Sequence, residues 1–224
     1  MKENNLLLKL LQSNSKAYSN LYLDKNFNNI INKLDKRSIV LDIGANLGNI
    51  SSYILEKKGC YIYSFEPNVL CFEILKRRFI DDKRIKIYNL AISNFSGKSN
   101  LYLHHKSKGI LDSTYLESSS LKETKDNVSK NNYTEINVFN IEDLLSKFER
   151  IDLIKIDIEG SEYEIMPFLI KNRSKIKCVL CELHGKPDSD VELIKNHDFT
   201  PKYQKLIKTL KEKNLYGDWF FEWY

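Results

Sequence analysis

VLDIGANLGN, residues 40–49, decides the fold. A run apolar enough for a buried strand carries Asp42, and the chain then passes Gly44 and Gly48 directly into a helical pattern. Glycines at a strand-to-helix turn let a ligand approach the backbone, and the helix start offers unpaired N–H groups. Dinucleotide-binding turns usually begin with glycine, because a pyrophosphate must come close. Here that place is Asp42, which would repel phosphate and favours a cationic ligand.

Outward from this turn the pattern alternates. SIVLDIG (38–44) predicts a strand, NLGNISSYILEKKG (46–59) a helix ending at Gly59, and CYIYSFE (60–66) a second strand. PNVLCFEILKRRFI (67–80) predicts a helix opened by Pro67, and RIKIYNLAI (84–92) a third strand. Strand–helix alternation is the signature of a parallel sheet with right-handed crossovers. SGKSNLYLHH (96–105) puts Gly97 in a turn before a short strand, so residues 92–105 read as a hairpin excursion. Residues 106–134 are polar, lack an apolar period and are too long for an ordinary connection, which marks a lid or insertion. TEINVF (134–139) predicts a strand, NIEDLLSKF (140–148) a helix, IDLIKID (151–157) the fourth main strand, SEYEIMPFLIK (161–171) a helix and IKCVLCELH (176–184) the fifth strand. DVELIKNHDF (190–199) predicts a helix, while PKYQKLIKT (201–209) and DWFFEWY (218–224) are strand candidates. The aromatic tail suits a last antiparallel strand, with sugar stacking as the alternative. Residues 1–37 read as a helical cap, with Leu6, Leu7, Leu10 and Leu11, then Phe27, Ile30, Ile31 and Leu34, at helical spacing.

At 224 residues the chain fits one domain able to bury a core without staples. No apolar run reaches the ~20 residues of a membrane span, and the N-terminus lacks the long apolar region of a signal peptide, so a cytoplasmic protein is expected. Cys178 and Cys181 form a CxxC on a strand, where residues three apart face opposite sides and cannot share a metal or a disulfide. With Cys60 and Cys71 they read as buried free thiols. The net charge of +5 is spread along the chain and says little about partners.

Glu66 closes the second strand 22 residues after Gly44, the offset at which an acidic side chain accepts hydrogen bonds from ribose hydroxyls. S-adenosylmethionine has an ammonium, a sulfonium and no phosphate, so it satisfies both Asp42 and Glu66. In VLDIGANLGN, YSFEPN, NLAISNFSGKSNLYL, DLIKIDIEGSEYEIM and the strand ending CELH, between Ser38 and His184, the chain resembles the FkbM-type methyltransferases. That resemblance implies an α/β, three-layer α-β-α Rossmann-like fold with a seven-stranded, mostly parallel sheet of order 3-2-1-4-5-7-6. It also implies methyl transfer to oxygen, commonly a hydroxyl of a small molecule or glycan. Carried over, Asp42, Gly44, Asn46 and Gly48 would line the methionine end of the cofactor, Glu66 its ribose, and Asn68, Asn89 and the Ala91 backbone the ribose and adenine. For the two asparagines the alternative is turn chemistry.

In KIDIEGSE (155–162), charges gather where the fourth strand leaves the core, with Gly160 turning the chain and Ser161 a candidate cap. Asp157 falls beside the transferable methyl. An attacking hydroxyl needs a base, and Asp157, Glu159, Glu182 and His184 are the candidates, histidine being the easiest to use near neutrality. His184 could instead cap a strand end. Asp157, Glu159 and Glu182 could also converge on a divalent ion, magnesium or manganese, unless Lys155 balances their charge. Ser113 and Thr114 of the insertion are polar enough to touch substrate. Acid in DIEGSE disfavours a nucleic-acid acceptor, which leaves a nucleic-acid methyltransferase and a catalytically silent cofactor-binding module as the alternatives. The acceptor and the oligomeric state are open at this level.

Overall fold

Ile39–Ile43 (β1) lies at the centre of a parallel sheet because its apolar side chains are wanted on both faces. The computed structural model describes residues 22, 24–107, 119–123, 125, 127–187 and 199–223. Lys25–Asn32 (α1) precedes β1, opened by Asp24, whose carboxylate accepts the Phe27 N–H at 2.7 Å. Then come Asn49–Lys58 (α2), Tyr61–Phe65 (β2), Val69–Arg78 (α3), Ile85–Tyr88 (β3), Ala91–Ser93 (β4) and Gly97–His104 (β5). Val128–Asn140 (β6), Ile141–Ser146 (α4), Leu153–Ile156 (β7), Glu162–Lys171 (α5), a 3₁₀ turn at Arg173–Lys175, Val179–Glu182 (β8), Thr200–Glu212 (α6) and Phe220–Trp223 (β9) complete the described elements.

The main sheet has six strands in the order β3-β2-β1-β7-β8-β9, all parallel. Val40, Ile62, Leu153 and Leu180 face α1 and α2, while Leu41, Ile43, Ile154, Ile156 and Cys181 face α4, α5 and α6. This is the three-layer α-β-α arrangement. Cys178 and Cys181 fall in these two opposite clusters, and all four cysteines are free thiols. No helix among the described residues is long and apolar enough to cross a membrane.

Two features of the expected sheet are corrected. Six strands are present among the described residues instead of seven, and the last one is parallel to its neighbour instead of antiparallel. The cause is PKYQKLIKT, which forms the body of α6 and not a strand. Tyr203, Leu206, Ile207 and Leu210 recur at helical spacing, and they or their neighbours pack against the core. A helix between β8 and β9 carries the chain back over the sheet, so β9 enters in the same sense as β8. Trp219 anchors it from below, its indole N–H donating to the Ile176 carbonyl at 2.7 Å. The tail aromatics Trp219, Phe220 and Trp223 are buried, as packing requires.

RIKIYNLAI also divides. Its first half is β3 of the main sheet, and Ala91–Ser93 joins a second, three-stranded sheet ordered β4-β6-β5. The excursion after residue 92 is no hairpin of its own: β5 pairs antiparallel with β6, whose first residues, 128–134, come from the polar stretch expected to be a lid. Ser113, Thr114, the leucines at positions 6–11 and residues 190–198 of the helix expected over 190–199 lie outside the described residues.

Gly44 has φ +77, and a Cβ there would sit 1.8 Å from the Asp157 carbonyl oxygen. It is glycine because the β1 turn and the end of β7 touch backbone to backbone. Gly48, at φ +80, has Leu75 Cδ1 2.2 Å from where a Cβ would be, so it lets α3 close on the turn. Gly217, at φ +86, has open space around it. Gly44→Ala should therefore lose more than about 3 kcal/mol by urea denaturation, and Gly217→Ala only the ~1 kcal/mol of left-handed strain. Equal losses would refute the close-approach account.

Candidate active site

The carboxyl ends of β1, β2, β7 and β8 open on one side of the sheet, where the strand order reverses between β1 and β7. A cleft with about 600 Å³ of empty space, open solvent included, lies there. Gly44, Asn46 and Glu66 line it from the β1 and β2 turns, Leu90, Ile92 and Leu101 give it apolar surface, and Asp157 and Glu159 line it from beyond β7. Ser119 and Leu121 cover it from the segment before β6.

Asp42 lies under the turn, not on the cavity wall. Its carboxylate accepts a 2.6 Å hydrogen bond from Ser51 Oγ and stands 3.3 Å from Lys155 Nζ, its in-register neighbour on β7. Lys155, 1% exposed, also donates to the Gly44 carbonyl at 2.5 Å and approaches Asp157 Oδ2 at 3.7 Å. Burial works against its charge, but Asp42 and Asp157 outweigh it and raise its pKa above the ordinary lysine value.

Glu66 ties the two turns together. One oxygen accepts the Asn46 N–H at 2.7 Å and the other the Asn68 N–H at 2.8 Å. Burial pushes its pKa up to about 7 despite these donors. Asn46 has φ +49, and its buried side-chain oxygen has no hydrogen-bond partner. Asn68 caps α3 through the Leu70 N–H at 3.0 Å. Asn89 donates to the Glu66 and Pro67 carbonyls, both at 2.9 Å, so its amide locks the turn.

Glu159, just past β7, adopts φ +57. Burial would raise its pKa, but Lys125 and His184 both donate to Oε2 and hold it down to about 2. His184 Nε2 is 3.1 Å from that oxygen, and Nδ1 faces Glu162 Oε1 at 3.6 Å. Burial disfavours the imidazolium, yet these two carboxylates raise its pKa well above the ordinary histidine value. Glu162, fully buried, accepts the Ile158 and Gly160 N–H groups at 3.1 and 2.9 Å. Ser161 makes no cap hydrogen bond; the neighbouring glutamate organises the turn. Asp157 and Glu182 interact side chain to side chain, and burial raises both, Asp157 above its ordinary value and Glu182, aided by the Asp157 charge, well above the ordinary glutamate value. Such a pair shares a proton. Carboxyl groups outnumber cations here, with Asp42, Asp157, Glu159, Glu162 and Glu182 facing Lys125, Lys155 and His184.

Residues 42–215 match the methyltransferase FkbM domain. The chain belongs to the FkbM methyltransferase family. Methyltransferase sdnD of Sordaria araneosa is 26% identical over 176 residues, 66% of this chain and 66% of that protein, so the chain spans about two thirds of its relative's length. The crystal structure of MccD protein overlaps 26% of this chain and 30% of its own at 16% identity and a TM-score of 0.24. An rRNA methylase from Streptococcus thermophilus overlaps 38% and 53% at 20% identity, also with a TM-score of 0.24. Overlaps this small bear on neither fold nor function.

Within this FkbM domain the structure brings Gly44, Asn46, Glu66, Ala91, Asp157 and Glu159 to the cavity wall. It places Asp42, Gly48, Asn68 and Asn89 behind that wall, as braces. Both ring nitrogens of His184 face carboxylates, which favours the cationic ring, and an imidazolium has no lone pair to accept a proton. The metal set also changes. One donor atom each from Glu159, Glu182 and His184 lies within 4.8 Å of the others, without Asp157. That group does not fit a divalent ion as it stands, because Glu159 Oε2 already takes two cationic donors. Lys155, expected to balance the acidic strand end, meets Asp157 of that cluster and Asp42 beneath it. Lys125, which sequence reasoning missed, balances Glu159; it sits in a polar stretch with nothing to distinguish it from its neighbouring lysines.

Removing one partner of a buried ion pair leaves the others uncompensated. Lys155→Met should cost about 3–5 kcal/mol by chemical denaturation, and adding Asp42→Asn should recover part of that. A loss under ~1 kcal/mol in the single variant would show that Lys155 is dispensable to the fold.

Proposed function

We propose that this chain is an S-adenosylmethionine-dependent O-methyltransferase acting on a hydroxyl of a small molecule or glycan. One observation carries the reading: one cavity at the strand ends is lined by Glu66 together with Asp157 and Glu159 of the acid-rich cluster. Membership of the FkbM family supports methyl transfer. The excess of carboxyl groups supports a cationic cofactor and an uncharged acceptor, and speaks against phosphate-bearing partners, nucleic acid included. The free thiols agree with a cytoplasmic setting.

The cavity residues fit the cofactor's chemistry. Glu66 would accept the ribose hydroxyls, the unpartnered Asn46 oxygen would gain a donor, and Leu90, Ile92 and Leu101 offer an apolar slot for adenine. When bound, S-adenosylmethionine supplies an electrophilic methyl group. The chain's own part is to orient an acceptor hydroxyl and take its proton. The Asp157–Glu182 pair is the base: Asp157 lines the cavity, and Glu182 stores or passes on the proton. Lys155 fixes Asp157 from beneath. His184 holds Glu159 and Glu162 in place and takes no proton.

Calorimetry should show S-adenosylmethionine binding at one site and no heat with NAD. Ribose hydroxyls favour ionised Glu66, so below its pKa of about 7 binding must release a proton and weaken as pH falls. Glu66→Gln should weaken binding about tenfold and abolish that proton release. NAD binding without S-adenosylmethionine heat would overturn the proposal.

Glu182→Gln should keep cofactor affinity and lower transfer of labelled methyl, in a screen of polyhydroxy acceptors, by about a hundredfold. Because burial favours the protonated form of both members of the pair, and of Glu182 most, wild-type transfer should rise with pH beyond the ordinary carboxylate range. Wild-type rates in Glu182→Gln would remove the pair from the chemistry.

A further inference from the structure

The metal-like donor group and the cation that occupies it come from different parts of the chain. Glu159 follows β7, Glu182 ends β8 and His184 lies just beyond, and a donor atom from each lies within 4.8 Å of the others. The positive charge comes from the strap that precedes β6. Lys125 donates to Glu159 Oε2, the same oxygen that His184 Nε2 faces at 3.1 Å. Its side chain is only 2% exposed, so this is no loose surface pair.

The strap is fastened to the same residue a second time. Ser120 Oγ donates to the Glu159 carbonyl at 2.6 Å. Ser120 is itself held by backbone hydrogen bonds to Tyr102 of β5 at 2.8 and 2.9 Å, and Lys122 pairs with Glu164 of α5. Both ends of Glu159 are thus clamped from one strap, while its backbone sits at φ +57, where a residue other than glycine needs holding. Asp157, Glu182, Glu162 and Lys155 complete the charged surroundings.

A hard divalent ion needs several oxygen ligands with free lone pairs, and a histidine ligand must be neutral. A carboxylate oxygen that already accepts from an ammonium and an imidazolium offers neither. An ammonium is a compact charge on a flexible stem and can itself supply what an ion would supply. We propose that Lys125 is the resident cation of the acceptor end, providing the charge that Glu159, Glu182 and His184 would otherwise take from a divalent metal. Its purpose there rests on reading the cavity as a methyl-transfer site; its geometry does not. Lys125 is a positioning residue: it fixes Glu159, which fixes His184, at the edge of the Asp157–Glu182 pair.

The test is a titration of the full chain with Mn²⁺ alone, followed by electron paramagnetic resonance, beside calorimetry with S-adenosylmethionine on the same samples. Wild type and Lys125→Arg should leave Mn²⁺ free, because both keep a cation on Glu159. Lys125→Met should gain a Mn²⁺ site, binding roughly tenfold or more tightly than wild type, and lose it again when Glu159→Gln is added. Should Lys125→Met fail to fold, Lys125→Gln carries the same comparison. Stoichiometric Mn²⁺ binding by wild type, or a folded neutral variant that binds no better than wild type, overturns the assignment. If no sample binds S-adenosylmethionine while the Mn²⁺ pattern is as expected, the transfer reading fails and the role of Lys125 as resident cation stands.

Discussion

A lysine ammonium buried in the middle of a parallel sheet is the constraint around which the rest is arranged. Lys155 stands in register beside Asp42, and neither side chain is more than 2% exposed. Removing two such charges from water is costly, so the pair persists only where the surroundings complete it. Here they do: Ser51 takes the other oxygen of Asp42, and Lys155 reaches the Gly44 carbonyl and Asp157. One cation thereby joins two central strands and the turns that leave them. The backbone contact between Gly44 and Asp157 follows, and with it the shape of the cavity floor.

Around that centre each charged group has a distinct task. Glu66 joins the β1 turn to the start of α3 through two backbone N–H groups, and Glu162 does the same for the turn after β7. His184 bridges Glu159 and Glu162 as a cation. The Asp157–Glu182 pair has only longer contacts to cations, Lys155 at 3.7 Å and His184 at 4.0 Å, and its burial and mutual repulsion favour a shared proton. Charges that brace the turns are thus distinct from the carboxyl pair, of which Asp157 lines the cavity.

The β-α alternation was legible because each apolar run is bounded by a glycine or a cap, and Glu66 was legible through its spacing from Gly44. The last strand's direction was not, because PKYQKLIKT fits both an alternating and a helical period, and only packing of Leu206 and Leu210 chooses between them. Asp42 and Gly48 were identified as important for a different reason from the one the structure gives: they serve the chain's own contacts, and a sequence does not distinguish a carboxylate facing a ligand from one facing a buried lysine. Ser161 looked like a cap because the position is right, yet Glu162 does the holding. Lys125 was invisible, since its partner Glu159 is 34 residues away and its own surroundings are a polar stretch without period. Spatial pairing of distant charges is what local pattern cannot express.

The central claim is that one cavity holds a cofactor by Glu66 and presents its reacting end to Asp157 and Glu182. A crystal structure with S-adenosylhomocysteine tests this most directly. The ribose hydroxyls should lie on the Glu66 carboxylate, the adenine among Leu90, Ile92 and Leu101, and the sulfur toward Asp157. A nucleoside bound elsewhere, or bound here with its sulfur directed away from Asp157, would contradict the account.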